Sequence, residues 1–162
     1  MEALETLKSE FISGEVLSQE NEPLKFLGEI NCDSQSVEAL EFKIGRKLPL
    51  NISSFLKTFG GTKIYLDEFG LGLRVLKVSE IHAHNLEQEK TTDSYWPIFI
   101  IIAYTPCDDM LILYTGEKIT RFGILDHEAW GEPSCWLNEA ISWLNFDDWL
   151  ENFVITKGEA LS

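Results

Sequence analysis

The aspartates near the middle of the chain are the residues with the clearest potential for catalytic chemistry. Asp108 and Asp109 follow an apolar run at residues 98–104, and Asp126 follows a later predicted strand. Carboxylates that approach one another could bind Mg²⁺ or supply a general acid and base. Aspartate is also common where strands reverse. Turn formation is the simpler interpretation, and a metal-dependent hydrolase using these aspartates and a histidine is kept as an alternative.

The three histidines do not form a recognisable metal-binding motif. His82 and His84 fall in a predicted helix over residues 80–90, where residues two apart do not face each other. If that segment is extended, the two share one face instead. His127 is distant in sequence, and the chain has no HExxH pattern to supply further ligands. The sequence therefore predicts no metal site and no cofactor.

Nucleophilic catalysis is not indicated either. Cys32, Cys107 and Cys135 are odd in number and lack a CxxC pair, which fits a reducing cytoplasm better than a disulfide framework. The G-x-S-x-G pattern of serine hydrolases does not occur. Gly60 and Gly61 follow a predicted helix and precede a predicted strand, the reverse of the order in a phosphate-binding loop. The chain is therefore predicted not to be an enzyme.

The net charge points towards a basic partner. The formal charge is -14, from 27 acidic and 13 basic residues. Direct binding to nucleic acid or to an anionic membrane rewards clustered lysine and arginine, so neither is expected. A basic protein surface is the natural partner, although an acidic surface can also serve solubility alone.

The strongest negative field is predicted between Arg121 and Lys157, where no lysine or arginine occurs. This stretch contains the acids Asp126, Glu128, Glu132, Glu139, Asp147, Asp148 and Glu151. It also contains Trp136, Trp143 and Trp149, whose spacing is typical of buried aromatic residues. Trp130 lies beside Gly131 in a predicted loop and is the best candidate for an exposed anchor.

These features predict one protein-binding surface, in which carboxylates steer the partner and Trp130 anchors it. Its residues are Asp108, Asp109, Asp126, Glu128, Trp130 and Glu132.

The elements that position this surface begin with two helices at residues 37–61. The first helix has an apolar face of Val37, Leu40, Phe42 and Ile44. Gly45 is predicted to end it, and Pro49 fits the first turn of the next helix. The second helix has apolar residues at three- and four-residue steps, namely Ile52, Phe55, Leu56 and Phe59, and ends at Gly60.

The remaining pattern predicts an α+β fold, with an antiparallel sheet of about four to six strands flanked by N- and C-terminal helices. Strands are predicted at residues 63–66, 71–76, 98–104, 110–114 and 119–125. An N-terminal helix is expected around Leu4 to Ile12, followed by an irregular segment to residue 32. Asn145 is predicted to cap a last helix whose buried face carries Trp149 and Phe153.

The helix, Leu-Pro corner, aromatic-rich helix and Gly-Gly end at residues 37–61 resemble the opening module of the SUKH superfamily. WPIFIIIAYTPCDDMLILYT at residues 96–115 looks like the family's central hairpin, and FDDWLENFV at 146–154 like its closing helix. Where the family often has a Gly-Asp pair, this chain has Cys107, Asp108 and Asp109. The resemblance covers about residues 33–154 and implies one SUKH-like domain over residues 1–162.

The resemblance also implies a function. The superfamily includes bacterial immunity proteins that neutralise polymorphic toxins, and yeast regulators of cell-wall assembly. An immunity protein against a basic toxin domain, with nucleases among the candidates, fits the acidic charge, and a regulatory scaffold is the alternative. The acidic N-terminus is not a secretory signal, and the longest apolar run is too short to span a bilayer, so a cytoplasmic protein is expected.

Overall fold

The computed structural model describes residues 1–89 and 95–159. Within these residues the chain forms five α-helices and eight β-strands. The helices are α1 (Glu2–Ser13), α2 (Ser34–Ile44), α3 (Leu50–Phe59), α4 (Ile81–Glu89) and α5 (Phe146–Ile155). The strands are β1 (Val16–Leu17), β2 (Pro23–Leu27), β3 (Lys63–Leu66), β4 (Leu73–Val75), β5 (Phe99–Tyr104), β6 (Met110–Tyr114), β7 (Arg121–Leu125) and β8 (Ile141–Leu144).

The strands form one antiparallel sheet in which spatial order follows chain order from β1 to β8. The predicted α+β class with an antiparallel sheet is confirmed, but the predicted number of four to six strands is wrong. The additional strands are β1, β2 and β8. The first two lie in the segment expected to be irregular, and β1 is only two residues long. Such short edge strands are defined by their pairing partner, and their sequence shows little periodicity.

The central strands are buried on both faces, as the continuous apolar run at residues 98–104 predicts. On one face, Ile100, Ile102 and Leu113 pack in a large core with residues of α1, α2, α3 and α5. On the other face, Ile101 and Ile112 pack in a smaller core around Trp136. The helices therefore cover one side of the sheet, and the segment that follows β7 covers part of the other.

The helix pair at residues 34–59 forms as predicted. Asp33 accepts a hydrogen bond from the Ser36 amide at 3.0 Å and so caps α2. Gly45 ends α2 in the left-handed region, with φ 82°. Pro49 precedes the first residue of α3 and occupies its N-cap, one position earlier than expected. Gly60 follows the last residue of α3.

One residue predicted to lie on the apolar face of α2 lies on its exposed side instead. Phe42 is 88% exposed, because it lies about 200° around the helix from Leu40 and Ile44. Glu41 takes the buried position instead, where it accepts hydrogen bonds from Lys47 Nζ at 2.7 Å and the Leu48 amide at 3.0 Å. Burial opposes ionisation of Glu41, but these two hydrogen bonds and the positive charges of Lys47 and Lys57 together outweigh it and hold the pKa of Glu41 below the ordinary value. Glu41 thereby ties α2 to the corner before α3.

The helix predicted over residues 80–90 is α4, although Lys90 lies outside the described residues. A 3₁₀ turn (Val78–Glu80) precedes α4, so the helical segment begins before residue 80. Although α4 has few apolar residues, it does not lie wholly on the surface, because Ile81 and Asn85 are buried. Asn85 Nδ2 donates to the Ile101 carbonyl at 3.0 Å, and Asn85 Oδ1 accepts from the Ile101 amide at 2.8 Å. The side chain thus pairs with the backbone of β5 as a neighbouring strand would.

The two ends of the described chain meet where α1 packs on α5. Leu7 of α1 is fully buried, whereas Ile12 near the end of the same helix is exposed. The Glu10 carboxylate bonds both the Tyr65 hydroxyl and Lys157 Nζ. Burial and the neighbouring Glu10 raise the pKa of Tyr65, which stays protonated as a donor. These contacts fix α1 against β3 and the end of α5.

The last helix also follows the prediction. Asn145 Oδ1 accepts hydrogen bonds from the Asp147 and Asp148 amides at 2.9 and 3.1 Å, as an N-cap does. Trp149 and Phe153 are buried in the large core. Among residues 1–89 and 95–159, no helix has the length and apolar character needed to cross a membrane.

Candidate protein-binding surface

The pairing of β6 with β7 brings the predicted carboxylates to one end of the sheet. Met110, the first residue of β6, pairs with Leu125, the last residue of β7. Asp109 and Asp126 are the next residues outward on the two strands, so they lie side by side. The ligand-type atoms of Asp109, Asp126 and His127 all lie within 4.8 Å of one another. The expected approach of Asp109 to Asp126 is therefore a feature of the structure.

Asp109 organises this end of the sheet through two kinds of contact. Its backbone closes the β5–β6 turn, with Asp109 N donating to Thr105 Oγ1 at 3.1 Å and Asp109 O accepting from Thr105 N at 2.9 Å. Its carboxylate accepts from the His127 amide at 3.0 Å and lies 2.7 Å from His127 Nδ1. The turn before β6 and the segment after β7 are thus bonded together, which keeps the surrounding carboxylates in a defined arrangement.

His127 and His84 are expected to titrate on opposite sides of the ordinary histidine pKa. The hydrogen bond to Asp109 raises the pKa of His127, and burial lowers the pKa of His84. The Asp109–His127 pair should stabilise the fold fully below the unfolded-state pKa of about 6.5, and this contribution should be lost as pH rises through the higher folded-state value. An NMR titration of the imidazole protons measures both values directly.

The control for this titration is Asp109→Asn, which keeps an oxygen acceptor but removes the charge. It should lower the pKa of His127 and leave that of His84 unchanged. A His127 pKa that stays where it was in the Asp109→Asn variant would show that the pair in the structure is not formed in solution.

Asp108 is adjacent but makes a different contact. It occupies the left-handed region with φ 66°, which aspartate tolerates better than most residues. Its carboxylate forms an ion pair with Arg74, whose guanidinium lies 5.3 Å from the centre of the Tyr104 ring. Arg74 comes from β4 and pairs with Tyr104 in the sheet. The charge of Asp108 is therefore partly balanced by an arginine that sequence reasoning did not connect to this surface.

The acidic residues after β7 divide into a structural member and two outward-facing members. Asp126 Oδ1 accepts from the Glu128 amide at 2.8 Å and caps a 3₁₀ turn (His127–Ala129). Glu128 and Glu132 are exposed. Within residues 1–89 and 95–159, neither of these two glutamates forms an ion pair. Their charges are thus available to a partner.

Trp130 is half-buried and not exposed as predicted. Its ring stacks on Trp136, with the ring centres 4.9 Å apart and the planes 21° apart. The cause is local: the segment predicted as a loop folds into two short 3₁₀ turns and a π-helical turn (Trp136–Ala140), which lay it against the sheet. Trp136 and Trp149 are buried as predicted, but Trp143 is only half-buried, beneath the Arg121 guanidinium at 3.8 Å. Trp130 can therefore offer a partner only part of its ring.

Metal binding is chemically conceivable at Asp109, Asp126 and His127. A histidine ligand must be neutral, however, whereas the neighbouring Asp109 favours the protonated imidazole. His84 does not contribute, because its Nε2 lies 2.6 Å from the Tyr104 hydroxyl. His82 packs on the Trp96 ring. The described geometry is explained more directly by an ion pair at the end of the sheet than by a set of metal ligands.

Two residues of this surface were not assigned to it from the sequence. His127 was considered only as a metal ligand, and Arg74 was not considered. The adjacency of His127 to Asp126 was visible, but its contact with Asp109 depends on the β6–β7 register. No protein-family model matches the chain, and no curated protein matches its sequence.

Proposed function

We propose that this protein is a non-enzymatic, SUKH-like immunity protein that neutralises a basic toxin domain. The proposal places it in the cytoplasm as a single domain over residues 1–162. The observation that carries it is the hydrogen-bonded end of the sheet, where Glu128 is exposed next to the Asp109–His127 pair and Glu132 is exposed in the segment that follows. It is supported by the absence of lysine and arginine from residues 122–156.

The acidic surface would act in two ways. Its field would attract a cationic surface and raise the association rate, an effect that weakens as salt screens the charges. A nuclease toxin needs a cationic surface to hold nucleic acid, so an acidic protein that covers that surface also blocks its substrate. Asp108, Asp109, Asp126, Glu128, Trp130 and Glu132 form the proposed surface, with Trp130 supported from behind by Trp136.

The test is to capture partners on the tagged protein at low salt and to identify those released as salt is raised. A single stoichiometric toxin domain, and survival of cells that express both proteins, would support immunity. Several unrelated cellular partners without a toxin would support the alternative of a regulatory scaffold. Binding of free nucleic acid in place of protein would contradict both.

Reversing the charge of the acidic surface should weaken binding to the captured toxin domain about tenfold or more, mainly through slower association. The variant is Asp126→Asn, Glu128→Lys and Glu132→Lys, because asparagine keeps the capping oxygen at position 126. Surface plasmon resonance at several salt concentrations gives both rates.

The matched control is Asp33→Asn, Glu29→Lys and Glu38→Lys. It makes the same change in net charge around the start of α2, near the opposite end of the sheet, and Asp33 Oδ1 likewise accepts a backbone hydrogen bond, from Ser36 at 3.0 Å. Equal losses in the two variants would show that total charge, and not this surface, controls binding.

One observation favours a second function, a metal-dependent hydrolase: Asp109, Asp126 and His127 lie close enough to share an ion. A ligand that binds only the folded state raises the melting temperature. Mg²⁺ or Mn²⁺ should therefore raise it in the native protein and not in Asp109→Asn. The absence of any metal-dependent rise in the native protein would remove this alternative.

A further inference from the structure

A long apolar groove lies where α1 packs beside α5, on the helical side of the molecule. It has a volume of 530 Å³. Its floor includes Leu150 and Val154, both buried, and its walls include Ala3 and Ile155. Ile155 is 63% exposed although it is apolar. The groove is therefore a concave, apolar surface that faces solvent.

The groove continues towards the start of α3. A second hollow of 490 Å³ shares Met1 and Asp147 with the first and reaches Leu50. Leu50 is 79% exposed at the first residue of α3. Asn51 Nδ2 donates to Asp147 Oδ1 at 3.2 Å and holds α3 against α5 at this point. Helices α1, α3 and α5 thus frame two adjoining hollows, which together form the groove and have exposed apolar residues at Ile155 and Leu50.

The rim of the groove is acidic. Its charged side chains are Glu2 and Glu5 from α1, and Asp147 and Glu151 from α5. Among the described residues that line the two hollows there is no lysine or arginine. Acids in the first turn of a helix stabilise its N-terminus, which accounts for part of this charge. This effect at the helix N-terminus does not explain the charge of Glu151, which lies later in α5. Nor does it explain why the apolar side chains of Leu50 and Ile155 are exposed.

We propose that this groove is a docking site for a basic amphipathic helix of a partner protein. A groove between helices accepts the apolar stripe of another helix, whose side chains at three- and four-residue steps fill the floor. Lysine or arginine on the flanks of that helix would then meet the acidic rim. The apolar floor and the acidic rim together specify such an occupant.

The charge of the groove disfavours two other occupants. A second copy of this chain in the same groove would place Glu2, Asp147 and Glu151 against identical acids, at a net charge of -14 for each copy. An anionic membrane surface would be repelled by the same residues. A cationic partner helix avoids both problems.

This inference is independent of the proposed function. The groove is built from α1, α3 and α5, whereas the proposed toxin-binding surface lies around Asp109 and Glu132 at the end of β6 and β7. The groove would serve a second partner, or a second segment of the first.

The test uses the full chain and a synthetic peptide of leucine and lysine, about 14 residues or four helical turns long, with all leucines on one helical face. Amide NMR spectra recorded during titration locate the contact. Shifts confined to α1, α5 and the start of α3 are expected. A scrambled peptide of the same composition, with leucines all around the helix, should bind at least about tenfold more weakly.

Two pairs of variants separate the groove from general charge. Glu2→Lys with Glu151→Lys should weaken peptide binding about tenfold, whereas the same changes at Glu68 and Glu87 should have little effect. Ile155→Ser should also weaken peptide binding. Ile119→Ser should not, because Ile119 is 74% exposed and lies outside the groove. Equal effects within either pair would overturn the proposal. So would shifts centred on residues 126–132, equal binding of the scrambled peptide, or no binding.

Discussion

Replacing Trp136 by alanine is expected to lower the free energy of unfolding by about 3–5 kcal/mol. Trp136 is fully buried, at 0% exposure. Its ring packs against those of Tyr95 and Phe99, with centres 4.7 and 5.1 Å away, and beneath Trp130. Alanine would leave a cavity in the smaller core and remove the support of Trp130. Urea unfolding followed by circular dichroism measures the change.

The control compares two tryptophan-to-phenylalanine variants. Trp136 Nε1 donates to the Ala129 carbonyl at 2.8 Å, whereas the buried Trp149 Nε1 has no hydrogen-bond partner in the described part of the chain. Trp136→Phe loses the hydrogen bond to the Ala129 carbonyl, which keeps only the Glu132 amide as a donor, whereas Trp149→Phe removes an unpaired donor. Trp136→Phe should therefore be the more destabilising of the two. Equal destabilisation would mean that ring volume alone determines both effects.

The second large effect is expected from Asn85→Ala, which should lower the free energy of unfolding by about 3 kcal/mol. The substitution removes both partners of the Ile101 backbone, its donor and its acceptor, from a buried position. Each buried backbone group left unpaired costs about 1–3 kcal/mol. Chemical denaturation measures the total, and hydrogen exchange at the Ile101 amide shows whether the loss is local. That amide should exchange much faster in the variant.

Leu86→Ala is the matched control, because Leu86 is the next residue of the same helix and is 40% exposed. Leu86→Ala alters α4 but keeps the hydrogen bonds between Asn85 and β5. It should lower the free energy of unfolding by less than about 1 kcal/mol. If Asn85→Ala is no more destabilising than Leu86→Ala, the side chain does not support the strand as the structure indicates.

Local chemistry explains what could be predicted of the fold. The strands at residues 63–66 and 110–114 have the predicted bounds, because their side-chain types and flanking turn residues act over a few positions. Gly45 and Asn145 mark the end and start of helices for the same reason. The closeness of Asp109 and Asp126 also followed from the order of the strands.

What could not be predicted depends on contacts between distant residues. The edge strands β1 and β8 have few residues of their own and are defined by their neighbours. In the sequence, Asn85 looks like any other polar residue of a polar helix. Its role depends on β5, whose backbone it bonds, and that neighbour cannot be seen from the sequence of the helix. Trp130 is half-buried because its ring stacks on the buried ring of Trp136. The sequence of the intervening turn does not show that contact. The apolar groove likewise exists only once α1 and α5 meet.

The chain-order arrangement of the sheet has a consequence for how the protein folds. Each strand pairs with the strand next to it in the chain, and four of these pairings, β1–β2, β3–β4, β5–β6 and β6–β7, close short loops at low entropic cost. The contact of α1 with α5 is the opposite case, because it joins residues near the two ends of the described chain. Hairpins can therefore form early, while the docking of α1 is suited to a late step. Substitutions at that helix contact should then act mainly on the rate of unfolding.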